Sequence, residues 1–350
     1  MSQQPRYLVT GANGYIASAL VKRLVDDGAH VRATVRREAA GEALRDMLSP
    51  GAKGSLEIAI VGDITASGAF RDALQGATHV FHMASPIPGE GKTDAKRDFL
   101  DPAVAGTLSL IRDANHATST VRKIVLTASI ASIMDVARAN QGGTFTESDW
   151  NPVTYDQAIA LGAQLDVSNA EDYIKAAMQV YAASKKLAEK AAWDFTTENK
   201  PSFALTTVHP AFVIGRSATK GVDLTGTNGM FWQALTTRPL QADRATSAYV
   251  DLEDTVEGHI KAMEKEEANG RRFILVGDQP LIADVINWAK AHGGSQLPFE
   301  RVQVPENADE IKSKVTRFDV SATESVLGIR FKSMQQTVED FVDWVTEVKK

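Results

Sequence analysis

A tyrosine followed four residues later by a lysine, in Tyr181-Ala182-Ala183-Ser184-Lys185, is where the chain points most directly at chemistry. On a helix that spacing sets the phenol and the ammonium on one face. A phenol titrates near pH 10 in water. It moves protons at neutral pH only where a nearby cation stabilises its anion and its hydroxyl meets the reacting oxygen. Lys185 is such a cation, and of the six tyrosines only Tyr181 has a lysine at this distance. The same spacing also suits an exposed helical pair. Ser129 closes Thr127-Ala128-Ser129, just after the apolar run Lys123-Ile124-Val125-Leu126, and its hydroxyl could hydrogen-bond a carbonyl oxygen undergoing reduction. Isolated serines at strand ends mostly cap turns, so Ser129 gains weight from the company of Tyr181 and Lys185.

A second group of residues suits a dinucleotide. Thr10-Gly11-Ala12-Asn13-Gly14-Tyr15-Ile16-Ala17 lies between the first strand pattern and the first helix pattern. Gly11 can take a positive φ for the tight turn, Gly14 lets backbone approach a diphosphate, and Ala17 permits close helix-to-strand packing. A glycine turn that only closes a β-α corner has the same letters, and its place in the first crossover favours the nucleotide. The second strand ends at Val35 and is followed by Arg36 and Arg37, with no carboxylate to accept from a ribose 2′-hydroxyl. Guanidinium groups suit a 2′-phosphate, so this pattern predicts NADP(H), with Arg36 as the contact. Asp63-Ile64, after the third strand, fits either an adenine bracket or a plain helix N-cap.

These residues need elements to hold them. Alternating β-rich and helix-periodic runs predict strands at 6–10, 30–35, 56–61, 79–83, 123–127 and 203–208. Helices are predicted at 16–26, 39–48, 67–74, 102–117 and 178–198. The helix at 102–117 is expected to open with Asp101 as its cap and Pro102 at its first position. Strict alternation requires crossovers, which predicts an α/β, doubly wound parallel sheet. The rhythm breaks between residues 130 and 175, a length that marks a functional segment, here predicted to shape the entrance to the site. Beyond 210 come a glycine-bearing stretch at 221–229, a helix at 255–267, a strand at 273–276 and a C-terminal helix from 335. This mixture reads as a smaller substrate lobe. The expected division is a dinucleotide-binding domain at 1–210, with 245–276 returning to it, and a substrate lobe over 211–350.

Composition limits the alternatives. With 350 residues, 43% of them hydrophobic and 23% charged, the chain can bury a large core and is unlike a disordered one. It has no cysteine, which excludes disulfides, thiolate catalysis and cysteine-built metal sites. A net charge of −6 argues against nucleic acid as a partner, and no apolar run reaches the roughly 18 residues of a membrane span. A cytoplasmic protein acting on a small molecule is expected, its oligomeric state left open. His79 and His82 point to opposite strand faces, and Asp94, Asp98 and Asp101 are interleaved with Lys92, Lys96 and Arg97, so no metal is expected. Phe231 and Trp232, with Phe212 and Met134, suit either an apolar substrate pocket or ordinary core packing.

Taken in order, TGANGYIA, VRATVRR, LTASIAS, YAASK and HPAFVIG resemble the extended short-chain dehydrogenase/reductases over most of residues 6–215. VRATVR, Ala191-Ala192-Trp193 and YVDLEDTVEGH at 249–259 are most similar to the dihydroflavonol reductase branch that includes fungal and yeast aldehyde-ketone reductases. The resemblance implies a Rossmann domain and NADPH-dependent reduction of aldehydes and ketones to alcohols. It implies that Ser129 and Tyr181 bind the carbonyl oxygen, that Tyr181 donates the proton, and that Lys185 contacts the nicotinamide ribose while lowering the tyrosine pKa. For the cofactor it implies a cradle from Gly11, Asn13, Gly14, Tyr15 and Ile16, with Arg36 on the 2′-phosphate. Asp63, Ile64, Ala84, Ser85, Tyr181, Lys185, Pro210 and Val213 would complete it. Where many members carry an asparagine ahead of the fifth strand, this chain has Asp101-Pro102-Ala103-Val104, and its residues 153–177 are longer than in plant members. A sugar-nucleotide epimerase or dehydratase on the same scaffold, or an NADP(H)-sensing protein without chemistry, are the alternatives. Ile130 and Ala131 after Ser129 and the arginines after the second strand weigh against the first, and retention of Tyr181 with Lys185 against the second.

Overall fold

A computed structural model describes residues 5–85, 92–116, 118–165, 170–218, 224–236 and 248–348. The strands are β1 (Arg6–Thr10), β2 (His30–Val35), β3 (Ser55–Ile60), β4 (His79–His82), β5 (Lys123–Thr127), β6 (Thr144–Phe145), β7 (Ala204–Pro210), β8 (Phe212–Ile214), β9 (Tyr249–Asp251), β10 (Arg272–Leu275) and β11 (Arg317–Phe318). Seven of them form one sheet in the order β10-β7-β5-β4-β1-β2-β3, parallel throughout. The apolar runs lie in the interior, since Leu8, Val9, Val80, Phe81, Ile124 and Val125 are fully buried. One core face is made by Val9, Leu20, Val125, Val208 and Val256, the other by Leu8, Phe70, Val80, Leu110 and Ile124. Chain order reverses between β1 and β4, and ligands of open α/β sheets bind in the crevice that such a reversal leaves at the carboxyl ends.

Several expected boundaries shift, each for a local reason. The helix of the fourth crossover spans Asp101–Ala114, but Asp101 is not its cap, because the wide helical turn Lys96–Leu100 runs straight into it. Asp101 instead accepts the Tyr155 hydroxyl at 2.7 Å. Residue 117, the expected end of that helix, lies outside the described residues. Only Arg71–Leu74 of the helix expected at 67–74 forms, since Gly68 turns the chain at φ +77°. The helix carrying Tyr181 is longer than its apolar periodicity indicates, running Ala170–Asn199. Its small residues Ala176, Ala177 and Ala183 pack against Phe99 and Leu100.

The stretch between β5 and that helix is folded in its described part. Short 3-10 turns at Ile130–Ser132 and Val136–Arg138 lead to β6, which pairs with β11, and Phe145 and Phe318 stack at 5.4 Å. A helix, Tyr155–Gly162, follows, capped by Thr154. Residues 166–169 of this stretch lie outside the described residues, as do 221–223 of the glycine-bearing stretch, whose remainder enters the helix Gly226–Thr236. On that helix Phe231 is core, edge-on to Tyr249 and Phe341, so of the two readings core packing holds for it. Phe212 and Met134 belong to separate clusters. Among the described residues no helix is long and apolar enough to cross a membrane.

Candidate active site

The glycine turn is held by its own backbone. Gly11 has φ +62°, its N–H reaches Thr34 Oγ1 at 3.3 Å, and the Ala12 and Gly14 N–H groups donate to Thr34 O and Gly11 O. A Cβ on Gly11 would stand 2.8 Å from the Ala84 Cα, so this glycine lets β1 and the end of β4 meet. Thr10 Oγ1 fixes that meeting by accepting from the Met83 and Ala84 N–H groups at 3.1 Å while its hydroxyl faces His82 Nδ1 at 2.8 Å.

Gly14 caps the helix Tyr15–Asp26 in an extended conformation, and no side chain takes the N–H groups of its first turn. Those N–H groups and the helix dipole together suit a diphosphate, which makes the loop fit the cofactor that the sequence implies. Asn13 is exposed and Ile16 half-buried beside it, while the Tyr15 hydroxyl crosses to Gly215 O at 2.8 Å and ties the loop to the segment after β8. Ser85 follows Ala84, half-buried, at the carboxyl edge of β4.

Arg36 and Arg37 are exposed at the end of β2, and no acidic residue precedes Glu38 there. Asp63 accepts from the Thr65 N–H at 2.8 Å and the Thr65 hydroxyl at 2.7 Å in a local turn, and it caps no helix, since the next one begins at Arg71. These bonds, aided more weakly by the charge of Arg36, hold its carboxyl below the usual range. Ile64 packs onto Gly106, where any Cβ would come within 2.8 Å of it.

The residues of the second group converge. Tyr181 and Ser129 lie close enough for the serine hydroxyl to pull the phenol's pKa down. Lys185 Nζ donates to Thr127 O at 2.9 Å, two residues before that serine. The spacing of four therefore does put phenol and ammonium toward one strand end. Ser129 is held extended, its Oγ accepting from the Ala131 N–H at 3.2 Å and its carbonyl from the Ser132 N–H and hydroxyl. Burial pushes the Tyr181 phenol above its ordinary value, against the pull of the Ser129 hydroxyl, and the charge of Lys185 is not what sets it. The phenol is thus kept protonated. Lys185 is itself pulled down to about 8 by burial, opposed by the charge of Glu189. Pro210 ends β7 beside Leu275 and Val213 is buried in β8 against Val250, so this backbone borders the same edge of the sheet.

Around this centre stand residues that the sequence reading passed over. Asn151 is buried, and its side chain donates to Ala131 O at 3.0 Å while its N–H donates to Ser132 O at 2.8 Å, which clamps the turn after Ser129. Glu189, one turn beyond Lys185, is buried and accepts from Trp193, Thr207, His209 and Arg272. Its place at the third member of the series 181, 185, 189 was the signal available. Buried His259 accepts the Thr127 hydroxyl at 2.9 Å, and burial holds its imidazole down to about 4, hence neutral.

A model of the NAD dependent epimerase/dehydratase family matches residues 7–277. The ketoreductase sphI of Aspergillus fumigatus is 32% identical over 352 residues, covering 97% of each chain. A putative NADPH-dependent methylglyoxal reductase, GRP2, of Candida albicans is 32% identical across 98% of each. The crystal structure of Gre2 from Candida albicans in complex with NADPH matches with a TM-score of 0.85 at 27% identity, over 99% of this chain and 100% of that one. Matched along most of its length by the family model and nearly end to end by these relatives, the chain belongs to the NAD dependent epimerase/dehydratase family, the extended short-chain dehydrogenase/reductases.

Proposed function

We propose that this protein is an NADPH-dependent carbonyl reductase, converting aldehydes and ketones to alcohols, with Ser129, Tyr181 and Lys185 as its catalytic residues. The observation that carries the reading is the convergence of a phenol, a hydroxyl and a buried ammonium at the carboxyl end of β5. Relatives matched nearly end to end are named ketoreductase and NADPH-dependent methylglyoxal reductase, which supports both the reaction and the cofactor. Gly11, Asn13, Gly14, Tyr15 and Ile16 hold the diphosphate, Arg36 the 2′-phosphate, and Asp63, Ile64, Ala84, Ser85, Pro210 and Val213 border the rest. When bound, NADPH supplies the hydride.

The chain's own part is electrostatic and protic. Ser129 and Tyr181 point donors at the carbonyl oxygen, where negative charge develops as the carbon is reduced, and donors fixed in place in a water-poor site stabilise that charge most. Tyr181, held protonated by burial, gives its proton to the alkoxide, and the Lys185 ammonium then stabilises the phenolate until solvent restores the proton. Residues 1–210, with 245–276 returning to the sheet, form the cofactor side, and 211–350 otherwise form the substrate side. The segment 130–175, clamped to the Ser129 turn through Asn151, shapes carbonyl preference. A cytoplasmic location completes the proposal. The test is NADPH absorbance followed against a panel of aldehydes, α-ketoesters and activated ketones. Steady oxidation with alcohol formed in equal amount is expected, and nucleotide bound without turnover on any of them would overturn the proposal.

A further inference from the structure

Glu189 poses a question that the catalytic assignment does not answer. Its side chain is fully buried, an environment that admits a carboxylate only when it is paired and hydrogen-bonded. Five donors meet it: the Trp193 indole at 3.2 Å, the Thr207 hydroxyl at 3.0 Å, His209 Nε2 at 2.8 Å, and the Arg272 guanidinium at 2.8 and 3.2 Å. Burial alone would push this carboxyl up, but His209 and Arg272 hold it well below the usual range, so it is a permanent anion. Arg272 is anchored from its other side, lying over the Trp150 ring at 3.8 Å and donating to the carbonyls of Glu147 and Asp149.

The anion lies one helical turn from Lys185, on the same face of the helix. The groups acting on the Lys185 ammonium are Thr127 O from β5, Glu189 from its own helix and His82 from β4, with Tyr181 one turn back on the same helix. His259, behind Thr127, and His209 and Arg272, behind Glu189, form the next layer. His82 is held down to about 3, by burial first and then by the charge of Lys185, and is neutral. His259 is neutral as well. Glu189 is therefore the one negative charge among these groups, and His209 and Arg272 together set how much of it Lys185 feels.

We propose that Glu189 is a positioning residue for the reductase site, whose buried carboxylate, metered by His209 and Arg272, keeps the Lys185 ammonium charged beside Tyr181. The proposal rests on the catalytic role assigned to Lys185 above. It predicts effects of opposite sign. Glu189→Gln keeps the shape and most of the hydrogen bonds but removes the negative charge, so Lys185 loses its proton at lower pH. Arg272→Gln exposes more of that charge, so Lys185 keeps its proton to higher pH.

The experiment is a pH titration of each variant with lysine-selective carbon-13 labelling, the Lys185 Cε resonance being the one lost in Lys185→Met. It is run beside the pH profile of kcat/KM for carbonyl reduction. In Glu189→Gln both midpoints should move down by about one pH unit, and in Arg272→Gln both should move up, with NADPH affinity within about twofold of the parent. Either variant decides alone if the other fails to fold. Midpoints unmoved, or moved in the same direction in both while only thermal stability falls, would show Glu189 to be structural and overturn the proposal. The resonance is read without substrate, so absence of turnover in the parent would bear on the proposed function and leave this titration intact.

Discussion

Gly14→Ala separates a loop that merely turns from one that holds a diphosphate. Gly14 has φ −69° and ψ 160°, a conformation open to any residue, and an added Cβ would meet only Gly11 O at 3.2 Å and Ala17 Cβ at 4.0 Å. The neighbouring loop can give a few tenths of an ångström, so the folded protein should lose no more than about 1 kcal/mol. The same methyl stands at the mouth of the first helical turn, whose N–H groups no side chain takes. Pushing a diphosphate back from them loses one charge-assisted hydrogen bond, worth about 1.5–3 kcal/mol, or roughly a 10- to 150-fold weaker Kd for NADPH. Gly11→Ala is the contrasting control. It forces an L-residue to φ +62° and drives its Cβ to 2.8 Å from the Ala84 backbone, so its main effect is lost stability of about 2–4 kcal/mol. Fluorescence titration with NADPH and urea unfolding of the free protein read the two effects separately. A Gly14→Ala protein that binds NADPH like the parent would refute the placement of the diphosphate.

Arg36→Ala should weaken NADPH binding by about tenfold or more and leave NADH within about twofold, because only the 2′-phosphate meets the guanidinium. Equal losses for both cofactors in parallel titrations would contradict that contact. The pH dependence of stability gives a third test. Lys185 titrates at about 8 in the folded chain against 10.5 in the unfolded one, so between those values the unfolded chain holds a proton that the folded one has released. Stability therefore rises with pH across this window, by up to about 3 kcal/mol, the penalty of a buried charge being fully present below it. Lys185→Met should lose that rise, as urea midpoints measured on both sides of the window would show. A rise kept undiminished in the variant would count against the buried ammonium.

Much of this was legible in the letters because the sheet and its turns are locally encoded. The run Leu8-Val9-Thr10-Gly11 reads as a strand meeting a glycine turn, and it is one, since nothing distant is needed to make it so. Tyr181 and Lys185 were legible for the same reason, the helix itself supplying their common face. What stayed hidden depends on partners far apart in sequence. Asn151 looks like any loop asparagine until the fold brings it to Ala131 and Ser132, and Arg272 reads as a charge at a strand's start although it closes on Glu189, 83 residues away. The helix caps read at Asp63 and Asp101 misled in the opposite direction. Each letter permits several hydrogen bonds, and Thr65 and Tyr155 decide which are made. Phe231 shows the limit of reading aromatics, because a ring in the core and a ring in a pocket leave the same trace in sequence.

Removing one oxygen atom tests the central claim most directly. Tyr181→Phe keeps the ring and its packing but deletes the proton donor, and its NADPH affinity and single-turnover reduction can be measured on the same preparation. The account predicts a Kd within about twofold of the parent and a reduction rate lower by at least about a hundredfold. A variant that binds NADPH normally and still reduces carbonyls at more than about a tenth of the parent rate would show that the proton comes from elsewhere.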